Sequence, residues 1–153
     1  MIWPDAEAAI RSHIETQWAL STYAAIMPLI WENDIPSDHE PDQFIAVSIE
    51  GTYAEKTIFG SIGMRSSVEG GIAYFHAFVP VSTGKTTAVG AVYAMTAILE
   101  LQTIQTDIRL EGGNPPSPAE PTGRRDREIP ISQPGGMYFR CSGSVPFIVT
   151  GTV

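Results

Sequence analysis

Cysteine occurs once in the 153 residues, at Cys141, so neither a disulfide framework nor a cysteine-rich zinc site is available. Basic residues are scarce: nine Lys and Arg stand against 17 Asp and Glu, a net charge of −8. That sign excludes nucleic-acid binding through a basic face. Long hydrophobic runs are absent too. The longest mostly apolar stretch, Ala88 to Leu99, falls short of the ~20 residues a membrane span needs. The start, Met1-Ile2-Trp3-Pro4-Asp5-Ala6-Glu7, lacks the basic end and apolar stretch of a secretory signal. Both absences point to synthesis in the cytoplasm. What remains is 43% hydrophobic and 17% charged, which excludes a mainly disordered chain and supplies a core. The length suits one domain over residues 1–153.

The charge is unevenly placed. Residues 1–60 hold ten acidic and two basic residues, and the remaining 93 hold seven of each. The whole excess therefore belongs to the first part, densest from Glu32 to Asp42. The one basic cluster is Arg124-Arg125-Asp126-Arg127. Such runs are ordinarily solvated loop charges; the sharper reading is that the two meet, within a subunit or between subunits.

Apolar spacing orders the chain. Pro4 fits a first helical position, and Ala6, Ile10, Ile14 and Trp18 recur at helical spacing, predicting a helix over 4–21. His13, beside that face, reads as a hydrogen-bonded core histidine. Residues 24–31 read as a short strand that Pro28 confines to an edge or start, followed by a loop through Pro36 and Pro41. Residues 43–52 alternate as a strand, with Ile45, Val47 and Ile49 on one face. Residues 54–65 read as another, interrupted by Gly60 and Gly63, and 68–81 as the strongest, so that an antiparallel meander is expected. The period then turns helical over about 84–102, with Val89, Val92, Tyr93, Thr96 and Leu99 as the stripe. A short strand is expected near 107–110. Residues 111–136 follow with six of the twelve prolines, and 137–153 reads as a long strand bent at Pro146. The order predicts an α+β fold: a mostly antiparallel sheet, two helices packed on one face, and extended arms at about 53–67 and 111–136.

Catalytic signatures are missing. Ser82-Thr83-Gly84-Lys85-Thr86-Thr87 resembles a phosphate loop only in part, because the first glycine that motif requires is Val79 here. No G-x-S-x-G elbow occurs. Cys141 follows Arg140, which could lower its pKa, but in a strand it reads as a small buried hydrophobe. His13, His39 and His76 do not pair in sequence. Asp38-His39-Glu40-Pro41-Asp42 lacks the glycine turn and ligand spacing of a calcium loop. No catalytic, cofactor-binding or metal residue is assigned.

A set of short motifs runs through the chain: Pro28-Leu29-Ile30-Trp31-Glu32-Asn33, Ile35-Pro36, Pro80 ahead of Thr83-Gly84-Lys85, and Val145-Pro146-Phe147. In this order the sequence resembles the tail terminator family of long-tailed bacteriophages and phage-like gene transfer agents. Members carry a Trp-Glu-Asn-like tripeptide closing the first strand and a proline soon after. They also carry a Pro…Gly turn before the second helix and a proline-flanked strand near the C-terminus. The match spans nearly the whole chain and departs at 112–128, which is long and proline-rich.

The resemblance implies a structural virion protein at the neck-proximal end of the tail, in the host cytoplasm during assembly. It would form a ring, six-membered in the family, on the tail tube. The ring would end tube polymerisation and offer the surface that joins the neck or head-completion protein. No cofactor, membrane or catalysis is implied, and DNA would pass through without specific binding. A closed ring uses heterologous contacts, strand edges and arms are natural devices for pairing with a neighbour, and a negative lumen repels phosphates. Glu32 and Glu50 are the acids expected to line the bore. The subunit interface is expected to pair Arg124, Arg125 and Arg127 with Glu32, Asp34, Asp38, Glu40 and Asp42 of the adjacent copy. Two alternatives stay open: another connector, such as a stopper or tail-completion protein, and a monomeric ligand-binding or enzymatic module using Arg65, His76 and Arg140. Exposed ion pairs contribute less than about 1 kcal/mol each, so reversing all three arginines to glutamate should weaken ring formation while the subunit stays folded. Sedimentation at low salt checks this; unchanged assembly refutes the pairing.

Overall fold

The computed structural model describes residues 3–31, 43–56, 66–80, 85–116, 120–122 and 138–152. Helix α1 (Trp3–Ala19) precedes strands β1 (Leu29–Trp31), β2 (Phe44–Lys56) and β3 (Ser66–Pro80). Helix α2 (Lys85–Leu99) follows, then β4 (Thr103–Ile104), β5 (Ile108–Leu110), β6 (Glu120–Thr122) and β7 (Tyr138–Thr152). The fold is α+β around one mixed sheet in the order β1-β2-β3-β7-β5-β4, with β6 also on β7. β1 runs parallel to β2; the β2–β3, β3–β7, β4–β5, β5–β7 and β6–β7 pairs are antiparallel.

β3 and β7 form the spine, in unbroken register from Ser66 opposite Thr152 to Pro80 opposite Tyr138. Because side chains alternate across a strand, odd-numbered residues of both strands share one face. Ile45, Ala77 and Cys141 stand abreast across β2, β3 and β7, as do Val47, Phe75 and Gly143. The main core gathers this face with Ala6, Ile10, Ile14 and Trp18 of α1 and Ala88, Ala91, Val92, Met95 and Leu99 of α2. Burying a large apolar side chain contributes about 1.5–3 kcal/mol. Val92, Met95 and Leu99 therefore hold α2 down, and the alanines let it come close.

Side-chain anchors fix α1. The Trp18 indole N–H donates to the Met27 carbonyl at 3.1 Å. The Trp31 N–H donates to Glu15 Oε1 at 2.8 Å, while the Arg11 guanidinium lies 4.4 Å from the Trp31 ring centre. The tryptophan that closes β1 is thus held by two consecutive turns of α1. His13 donates from Nε2 to the Ile98 carbonyl at 3.1 Å, joining α1 to the end of α2.

Several expectations are corrected. Residues 24–27 are turn, not strand, closed by Ala24, Ile26 and Met27 N–H groups donating to Ser21 and Tyr23 carbonyls. No separate strand begins at Ala54: β2 continues to Lys56 past a bulge between Gly51 and Tyr53. That extra residue reverses the alternation and imitates a strand end. The rest of the expected strand, 57–65, lies outside the described residues. The expected meander is therefore a two-stranded hairpin, with β1 added in parallel. The α2 stripe is turned as well, since Tyr93 points outward while Ala88, Ala91 and Met95 are buried. Neither is 111–116 a free arm. The Glu111 and Asn114 N–H groups donate to the Pro146 and Ser144 carbonyls at 2.9 and 3.0 Å, and the Gly113 N–H donates to Glu100 Oε2 at 3.2 Å. Glu120–Thr122 pairs with this chain's own Tyr138–Arg140.

Gly143 is required where α2 meets the sheet. A Cβ there would lie 2.5 Å from the Phe75 ring and 2.9 Å from Val92, whereas one at Gly112 would meet nothing within 4 Å. Gly143→Ala should lower stability by about 1–3 kcal/mol, read from the urea midpoint at unchanged slope. Gly112→Ala serves as the neutral control.

Candidate functional site

The sheet face opposite the main core carries the even-numbered residues of β3 and β7 and, ahead of the bulge, those of β2. One end is apolar and buried: Phe44, Ala46 and Phe78 form a second small cluster with Ile30 packed against it. The Phe44 and Phe78 rings lie 4.9 Å apart and 22° from parallel. Next along this face come Ala46, His76 and Ser142 abreast, then Ser48, Tyr74 and Ser144, then Glu50, Ile72 and Pro146. His76 Nδ1 and Ser142 Oγ share a hydrogen bond at 2.6 Å. Asn114 donates from Nδ2 to Ser144 Oγ at 2.8 Å.

This register places His76 and Arg140 on one face of neighbouring strands, one ladder step apart, since Arg140 stands opposite Phe78. Arg65, the third residue of the ligand-binding alternative, lies outside the described residues. Ser142 was missed in sequence, and the signal that finds it is the antiparallel register of β3 on β7. A Ser–His contact fixes the orientation of the imidazole. Nucleophilic catalysis asks in addition for an orienting group and for donors aimed at one reacting atom. Among the described residues, no group of three or more His, Cys, Asp or Glu could hold a metal ion.

The expected interface residues Glu32, Asp34, Asp38, Glu40, Asp42, Arg124, Arg125 and Arg127 all lie outside the described residues, so the structure brings none of them together. Of the two acids expected in the bore, Glu32 also lies outside, and Glu50 is exposed on the face opposite the main core.

A different surface stands out on α2. From Thr86 to Leu99 the helix has no charged residue, although Thr86, Tyr93 and Ala97 are exposed along one side. Tyr93 is 59% exposed and Leu101, just past the helix, 76%. By contrast, α1 carries Asp5, Glu7, Arg11 and Glu15. Single exposed apolar residues are ordinary, but a surface helix normally presents charges to water. Just past the helix Leu101 has φ 57°, a left-handed conformation that glycine adopts freely at helix ends.

No family model matches the sequence, and no curated protein matches it. Eleven chains of solved structures match by shape. One of them aligns with a TM-score of 0.58 over 94% of this chain and 94% of its own, at 15% sequence identity. A likeness at that identity carries the fold and no activity.

The reading of Cys141 as a buried hydrophobe is consistent with its place on the helix-facing side of β7, where burial pushes the thiol above its ordinary pKa. Arg140 projects from the other face and does not lower it. The native thiol should therefore resist iodoacetamide at pH 8 and react only as the chain unfolds. The folded pKa exceeds the unfolded one, so this contribution to stability is intact below the ordinary thiol value of about 8.5 and is lost as pH rises further. Alkylation rates and urea midpoints across that range check both points.

Proposed function

We propose that this chain is a structural subunit that assembles with copies of itself into a ring capping a phage-type tail tube, ending tube growth and presenting a joining surface to the neck. In this reading the two helices pack on one face of a mostly antiparallel sheet, and the chain acts through its surfaces, without cofactor or catalysis. DNA passes through the ring without specific binding, and Glu50 is among the acids near the bore.

The observation that carries the reading is the outer side of α2 with Leu101. A leucine held in the left-handed conformation costs about 1–2 kcal/mol relative to a relaxed backbone. With its side chain 76% exposed, it gains little burial within the subunit in return. The Leu101 N–H donates to the Glu111 carbonyl at 3.2 Å, which holds the backbone there, but the exposed side chain adds little packing within the subunit, and such positions are often where a side chain is used. Tyr93 lies within the stretch of α2 past Lys85 that has no charged residue, and an exposed aromatic beside small and apolar neighbours is the usual make-up of an interface centre. Strand edges add to this, because among the described residues β1 and β4 end the sheet order on either side and edge strands accept further pairing. The motifs shared with the tail terminator family supply the identity of the assembly.

Leu101→Gly separates subunit stability from assembly. It should stabilise the isolated subunit by about 1 kcal/mol, seen in thermal melts, and weaken self-association in sedimentation velocity. Unchanged association would remove this surface from the account. For the capping role, tube protein polymerised with the wild-type chain should yield tubes of limited length in negative stain. Tubes of uncontrolled length in its presence would refute the role.

A further inference from the structure

We propose that the turn between α1 and β1 is the counter-surface for Leu101: Leu20 and Ile26 of one copy seat against Leu101, and the uncharged stretch that follows it, in the next copy. The inference rests on the ring reading and names the two halves of its repeating contact.

Among the described residues, Leu20 at 77% and Leu101 at 76% are the most exposed large apolar side chains, and Ile26, in the same turn as Leu20, is 51% exposed. The two leucines sit at opposite ends of the helical layer. His13 of α1 is bonded to the Ile98 carbonyl at the end of α2. Tyr23, past the end of α1, is packed on Gly90 instead, where an added Cβ would lie 2.1 Å from its hydroxyl. Advancing from 13 to 23 along the chain thus retreats from 98 to 90 along α2, so the helices run antiparallel. The α1–β1 turn is level with Gly90, and Leu101 lies about 16 Å further along, at roughly 1.5 Å of rise per residue. A single exposed leucine is ordinary. Two apolar patches at opposite ends of one layer are what a head-to-tail contact requires, and such a contact generates a ring when its rotation closes.

The turn presents its side chains on a fixed backbone. Met27 is fully buried, the Trp18 indole N–H donates to its carbonyl at 3.1 Å, and Gln43 donates from Nε2 to the Ile26 carbonyl at 2.8 Å. Gly90 gives Tyr23 its seat on α2 in spite of the penalty a glycine carries inside a helix. A patch held in this way loses little conformational freedom on association.

Charge singles out a second copy as the occupant. The chain carries −8, yet no charged residue occurs from Thr16 to Trp31 or from Leu101 to Thr106. Like-charged copies repel where their acids face each other, so they approach most easily through stretches that carry no charge. A membrane surface is the poorer occupant, because interfacial segments set Lys and Arg beside their apolar residues and neither stretch contains either.

The test is complementation between two variants, Leu20→Asp with Ile26→Asp, and Leu101→Asp, the last chosen because aspartate tolerates the left-handed backbone. Each should be monomeric in sedimentation velocity under conditions where the wild type associates. Mixed in equal amounts they should form a dimer and nothing larger, since one intact junction remains between them. Added negative charge alone does not give this pattern, because general repulsion would keep the mixture apart as well. Leu20→Gln with Ile26→Gln, and Leu101→Asn, add no charge and should each weaken association about tenfold or more, so that a folding defect in the aspartate set still leaves a readable test. A mixture that stays monomeric overturns the proposal, as does wild-type association of either variant; in both cases the association of the wild type leaves the ring reading standing. A wild type that stays monomeric at every concentration, with tail tubes present, removes the ring reading and this contact together.

Discussion

The β3–β7 ladder is the constraint on which the rest of the structure depends. Its register is unbroken over both strands, so one alternation assigns every residue of the spine to the helix side or to the opposite side. A slip of β7 by one residue would turn Phe147 and Val149 away from the core and Arg140 into it. The lock on that register is steric as well as hydrogen-bonded, because Gly143 leaves the space that Phe75 and Val92 fill. The short strands β5 and β6 and the helix α2 then all find their places against β7.

From this spine two unlike surfaces follow. α1 is conventional: apolar residues face the core, charges face water, and Arg11 and Glu15 hold Trp31 at the end of β1. Past Lys85, α2 is apolar inside and uncharged outside, and it is followed by Leu101 in the left-handed conformation. Among the described residues the opposite sheet face carries the Ser–His pair, Arg140, Glu50 and a row of hydroxyls.

Much of the fold was legible in the sequence because period and burial agree. Ile45 and Val47 on one side of β2, the alternation through Phe75 to Val79, and Ala6, Ile10, Ile14 and Trp18 on α1 all lie where their spacing puts them. Legibility failed where a local rule was overridden. The bulge at Thr52 reversed the pattern and looked like a new strand. α2, without a charge past Lys85 on any side, has too little asymmetry for spacing to say which side is buried, and the stripe that spacing suggests turns Tyr93 inward. The two-residue β4 is too short to show any period and owes its pairing to the hairpin with β5. Of the candidate site, the charge asymmetry was visible, but the residues that carry it lie almost wholly outside the described segments. Ser142 and Leu101 matter through register and φ, neither of which a linear reading displays.

The central claim is that the outer side of α2 is covered when the protein works. Hydroxyl-radical footprinting of the wild-type chain, dilute and then concentrated together with tail tubes, tests it most directly. The account predicts that Tyr93 and Leu101 are oxidised readily in the dilute chain and become protected together as the assembly forms. Equal oxidation of both residues in the free and the assembled protein would contradict it.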